Sequence, residues 1–189
     1  MAINLQKGQR ENINAQKFTI GLGWDTNASS TGAAFDLDAS VFLLSSKGKI
    51  VSDEYFIFYN NTKSPDGAVV HTGDNQTGAG DGDDESVTVD LSKINSAVEE
   101  ICIVVTIHEA ESRKQNFGQV RNSFIRIYDE KNTELVKYEL DEDFSVETGV
   151  EFGRLYKRDG KWKFEASGIG YKQDLSFFLS KYYKGEIIK

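Results

Sequence analysis

The sequence predicts an all-β fold, an antiparallel two-sheet β-sandwich with a few short helices. Three observations carry that reading. Short apolar-aromatic runs of strand length recur along the chain, polar turn residues separate them, and almost no helical periodicity lies between them. Phe18 to Trp24 alternates with period two, as a half-buried strand does. Ala39 to Leu44 and Tyr55 to Tyr59 are short runs bounded by polar turns. Leu91 to Val98 reads as a short turn of helix. Ile101 to Ile107 is rich in β-branched residues and has the length of a fully buried strand. Phe124 to Tyr128 and Leu135 to Leu140 pair across Asp129-Glu130-Lys131-Asn132. Phe152 to Lys157 and Trp162 to Ala166 flank an Asp159-Gly160 turn, a strong hairpin signal because both positions must tolerate positive φ. Leu175, Phe178, Leu179 and Tyr182 then recur at helical spacing after Asp174, a natural N-cap.

Length and composition agree with a single domain over residues 1–189. The 189 residues, 39% apolar and 12% aromatic, can bury a full core without staples. A net charge of −8 without a basic patch excludes non-specific binding to nucleic acid or to an anionic membrane surface. The lone Cys102 excludes a disulfide scaffold and a cysteine-rich zinc site within one chain. The chain carries neither a signal-peptide pattern nor an apolar run near the ~20 residues that span a bilayer, so direct membrane insertion is not expected. A soluble, cytoplasmic protein is expected.

The most unusual stretch is Gly73 to Glu85. It holds Asp74, Asp81, Asp83, Asp84 and Glu85 and no base, with Gly73, Gly78, Gly80 and Gly82 between them. Carboxylates this close repel one another, so such a segment is costly to order unless a cation neutralises it. Hard divalent cations take oxygen ligands, about 6–8 for Ca2+, and glycines let the backbone present its carbonyls. Other strand ends carry oxygen ligands too. Asp25 follows the first strand, Asp36 and Asp38 open the second, and Asn60 follows the third. Together they suit a metal cluster at one end of a sandwich. An EF-hand begun at Asp81 fails, because its glycine position is Ser86.

Gly21-Leu22-Gly23-Trp24-Asp25 and Phe35-Asp36-Leu37-Asp38-Ala39-Ser40 resemble the opening signatures of the TerD family of tellurite-resistance and general stress proteins. The segment Gly73 to Glu85 resembles that family's most specific motif. Gly153-Arg154-Leu155-Tyr156, Trp162-Lys163-Phe164 and Gly168-Ile169-Gly170-Tyr171 extend the likeness over nearly the whole chain. The resemblance implies a calcium-binding β-sandwich holding two Ca2+ ions. The implied ligands are Asp25, Asp36, Asp38, Asn60, Asp74, Asn75, Asp83, Asp84 and Glu85, with Gly78 and Gly80 as backbone carbonyls or turn formers. Ala79 replaces a glutamate common in the family, which removes one acidic charge. The resemblance also implies protein partners in a stress-response system, a membrane-embedded one among them.

Catalytic signatures are weak. His108-Glu109-Ala110-Glu111 lacks the second histidine of a zinc protease, and with only His71 and His108 a hydrolase triad has little support. Gly21-Leu22-Gly23 fails the dinucleotide fingerprint. Cys102, inside an apolar strand, reads as a small buried hydrophobe. A non-enzymatic module is therefore expected. The competing reading is a metal-dependent enzyme acting on a phosphate or nucleotide, since clustered carboxylates also hold catalytic Mg2+.

Overall fold

Alternation along the strands builds two stacked sheets. The structure is a computed structural model that describes residues 3–25, 32, 34–72, 82–139 and 144–183. With strands numbered in chain order, the first sheet runs β1 (Ile3–Asn4), β10 (Glu134–Glu139), β9 (Phe124–Asp129), β3 (Lys17–Gly23), β7 (Glu85–Asp90), β6 (Val69–His71). The second runs β2 (Arg10–Asn12), β12 (Lys161–Glu165), β11 (Gly149–Arg158), β8 (Glu100–Ile107), β4 (Leu37–Leu44), β5 (Phe56–Ile57). A further strand, β13 (Ile169–Tyr171), also pairs with β11. Among the described residues every strand pairing is antiparallel except that of β1 with β10. The expected sandwich is the fold observed.

The main core lies between the sheets. Phe18, Ile20 and Leu22 of β3 meet Leu37, Ala39, Val41 and Leu43 of β4 and Ile101, Ile103 and Val105 of β8 there. The alternate residues of the second sheet, Phe42, Leu44, Cys102 and Val104, face the other way into a second core. Helix α2 (Leu175–Tyr182) covers it with Phe178 and Tyr182. Both faces of β4 and β8 are therefore buried, which explains the continuous apolar run from Ile101 to Ile107.

Helix α2 starts where the sequence places it, because the Asp174 carboxylate accepts hydrogen bonds from the Ser176 and Phe177 amides at 3.0 and 3.3 Å. Its last turn docks on a buried polar group. Glu151 accepts from the Tyr182 hydroxyl at 2.5 Å and pairs with Lys181, which also donates to the Tyr171 hydroxyl at 2.9 Å. Cys102 Sγ lies 3.3 Å from that Tyr182 hydroxyl. Burial, then the Glu151 charge, push the Cys102 thiol up to about 12. The thiolate is the reactive form, so Cys102 should ignore a thiol reagent at pH 8 in the native protein and react once denaturant is added. Fast native labelling would contradict this packing.

Two expected elements differ. Leu91 to Val98 forms turns rather than helix, because short polar side chains capture the backbone: Asp90 Oδ1 accepts from the Ser92 amide at 3.1 Å and Asn95 Oδ1 from the Ala97 amide at 2.9 Å. The strand expected over Tyr55 to Tyr59 shortens to β5, preceded by a 3₁₀ turn at Asp53–Tyr55. Asn61 Nδ2 donates to the carbonyls of Glu54 and Phe56 at 3.2 and 2.6 Å and turns the chain back. The Asp159-Gly160 hairpin is as expected, with φ of 53° and 73° between the paired Arg158 and Lys161.

Candidate metal centre

Strand pairing gathers most of the described candidate acids at one end of the sandwich. Register places Leu22 of β3 opposite Glu85 of β7, so Asp25, just beyond β3, adjoins the segment Asp83-Asp84-Glu85 that leads into β7. The residues before β4 are fastened to the same end. The Trp24 indole donates to the Phe35 carbonyl at 3.2 Å, the His108 amide to the Asp36 carbonyl at 2.8 Å, and Gln115 Nε2 to the Ala34 carbonyl at 3.3 Å.

The three consecutive acids are sent in three directions. Asp83 lies over Gly21 on the outer face of the first sheet and pairs with Arg126 of β9 through two bonds of 2.7 and 3.1 Å. Asp84 stays at the strand end, its amide donating to the Leu22 carbonyl and its carboxylate accepting from the Trp24 amide at 2.9 Å. Glu85 points between the sheets, accepts from the Ala39 amide of β4 at 2.8 Å, and lies 3.5 Å from His71 Nε2. It thereby ties the two sheets together. Asp25 accepts from Asn122 Nδ2 at 2.5 Å. Asp36 and Asp38 are both buried, and Asp38 lies 3.8 Å from His108 Nδ1.

Electrostatics single out Asp84. Burial raises its carboxyl above the usual range; the Trp24 amide opposes this, and the charges of Asp83 and Asp25 add to it. Carboxylates crowded this way are stabilised by a nearby cation. Asp38 sits on the outer face of the second sheet, where it lines a groove of about 980 Å3 with Tyr59, His108, Lys172 and Asp174. Asp83 and Asp38 are therefore on opposite outer faces, separated by a sheet-to-sheet spacing of about 10 Å.

Asp74, Asn75, Gly78 and Gly80 lie outside the described residues. Asn60 sits exposed in the turn between Phe58 and Asn61, beside Tyr59 at the rim of the groove. Among the described residues no three His, Cys, Asp or Glu side chains are arranged to hold a metal ion. Asp25 and Asp84 nevertheless offer carboxylate oxygens at one strand end, the donor chemistry a hard cation takes.

Sequence reasoning missed Arg126, Asn122 and the two histidines at this end. Their roles depend on register, which places Arg126 opposite Gly21, and no local spacing signals it.

The family model described as TerD domain matches residues 1–182. The chain belongs to the TerD family. It is 50% identical over 188 residues to general stress protein 16U of Bacillus subtilis (strain 168), covering 96% of this chain and 97% of that protein. It is 48% identical to tellurium resistance protein TerD of Serratia marcescens, with the same coverage. The solved structure of a homologue of telluride resistance protein (TerD) from Streptomyces coelicolor A3(2) superposes with a TM-score of 0.74 at 20% identity, over 87% of this chain and 95% of that one. That likeness shows the fold. In this TerD domain the family motifs fall on the end of β3, the start of β4 and the entry to β7, where the candidate acids gather. Among the described residues no helix is long and apolar enough to cross a membrane.

Proposed function

We propose that this TerD domain is a non-enzymatic calcium-binding protein of a stress response, in which Ca2+ orders the acidic segment 73–85 and so shapes a surface for protein partners. The observation that carries the reading is Asp84, a partly buried carboxylate set among the charges of Asp83 and Asp25 at the point where that segment joins β7. Asp25, Asp36, Asp38 and Asp84, with Asp74, Asn75, Gly78 and Gly80, are the proposed oxygen donors, and Asn60 is a further one. Asp83 and Glu85, also expected as ligands, are left out because Arg126 holds the first and the Ala39 amide donates to the second. The stress role is drawn from the relatives, named for general stress and tellurium resistance. Two bound ions would take the net charge from −8 to −8 + 4 = −4, a large change for any partner that reads this end of the molecule. The cytoplasm is the proposed compartment, with a membrane-embedded protein among the proposed partners.

Calorimetric titration of chelator-treated protein with Ca2+ and with Mg2+ tests this reading. The expected result is saturable Ca2+ uptake with Mg2+ bound more weakly. No heat with either ion would overturn it, and a preference for Mg2+ would fit phosphate- or nucleotide-directed chemistry instead. Asp38→Ala and Asp84→Ala should each abolish a binding event, while Asp81→Ala should have a smaller effect. Equal losses from all three would mean that bulk charge, rather than ligand position, governs uptake.

A further inference from the structure

Asp83 has a seat of its own. Its carboxylate lies across the Cα of Gly21, so close that a Cβ at that position would meet Oδ2 at 2.2 Å. The seat exists only because residue 21 is glycine. Arg126 closes it from the next strand, since Gly21 pairs with Arg126 in the β3–β9 register. The guanidinium grips both carboxylate oxygens through Nε and Nη2, while Nη1 lies 3.6 Å from Glu134 and the cation stands 5.0 Å from the Tyr128 ring centroid. A planar fork held this way is a far better partner for a carboxylate than a flexible point charge. Asp83 is only 9% exposed in its side chain, so its end of the pair is shielded from solvent, while Arg126 is 32% exposed. The adjoining residue, Asp84, makes the first backbone bond of the strand, from its amide to the Leu22 carbonyl at 2.8 Å.

We infer that Gly21 and Arg126 are positioning residues that clamp Asp83 to the outer face of the first sheet, so that Asp83 anchors the end of the acidic segment and leaves Asp84 to face the cation. The assignment deepens the calcium reading and rests on it for its second half only. A metal ligand at Asp83 would have to leave a bidentate partner that is permanently charged. An anchor has no such need, and it lowers the ordering cost of the neighbouring ligand.

The test uses Gly21→Ala, Arg126→Gln and Arg126→Lys in the full chain. Gly21→Ala fills the seat without changing any charge and suits a strand position. The first readout is hydrogen exchange of the Asp84 amide in metal-free protein. It should speed up about tenfold or more in Gly21→Ala and Arg126→Gln, as loss of a charge-assisted bond implies, with Arg126→Lys between them and the wild type. The second readout is Ca2+ affinity, which should weaken about tenfold in Gly21→Ala. Unchanged Asp84 exchange in both Gly21→Ala and Arg126→Gln would overturn the clamp. Tighter Ca2+ binding by Gly21→Ala would overturn it too, since it would mean that released Asp83 is itself a ligand. If the wild type takes up no Ca2+, the calcium reading fails and the exchange readout alone decides the clamp. If Gly21→Ala does not fold, Arg126→Gln and Arg126→Lys decide it by the same exchange measurement.

Discussion

Phe178→Ala should lower the melting temperature by roughly 6–20 °C, from a cost of about 3–5 kcal/mol for a buried aromatic and about 2–4 °C per kcal/mol at this size. The ring is fully buried and is a central side chain of the second core, with Tyr171 and Phe177 each at 5.3 Å between centroids. It also lies against the backbone of β11, where a Cβ on Gly149 would come within 2.7 Å of its ring edge. Calorimetry on the wild type and on Phe178→Leu, which keeps most of the apolar volume, checks the cause. A Phe178→Ala melt within 2 °C of wild type, a limit well below that cost, would mean that α2 contributes little to the fold.

Calcium should raise the melting temperature and a chelator should remove the gain. A ligand bound only by the folded state adds about 2.7 kcal/mol at a hundredfold excess over Kd, or roughly 5–10 °C here. Superimposable melts with and without Ca2+ would defeat the reading. Hydrogen exchange locates the effect. Protection should rise between residues 73 and 85 and around Asp25 and Asp36, while β8 stays protected in both states. Its residues Ile101 to Ile107 are buried by packing on both faces and need no ion to hold them. Equal loss across β8 on chelation would make Ca2+ a folding cofactor instead.

The strands with strong alternation were legible because burial on one face writes a period of two into the sequence, as in Phe18, Ile20 and Leu22. The helix over Leu175–Tyr182 was legible because cap and apolar spacing agree. Leu91 to Val98 misled because Asp90 and Asn95 offer the backbone local partners that helix formation cannot match there. The edge strands β1, β2 and β6 are two or three residues long and leave no periodic trace. At the candidate centre, the acids were visible as residues, but the division of Asp83, Asp84 and Glu85 among an outer face, a strand end and the core follows from tertiary pairing. So does the choice of Arg126 and Ala39 as their partners.

The chain's first dozen residues supply an edge strand to each sheet, β1 against β10 and β2 against β12. Both partners are made late. During synthesis at about 5–20 residues per second, residues 10–12 wait roughly 8–30 s for Lys161–Glu165 to emerge. Within that interval β3 gains its partner β9 only when Phe124–Asp129 emerge, and β8 its partner β11 only when Gly149–Arg158 do. The first sheet cannot be completed before β10 (Glu134–Glu139) is made, nor the second before β12 (Lys161–Glu165). The nascent protein therefore spends most of its birth with open, apolar strand edges, which is the stage at which β-rich chains most depend on chaperones.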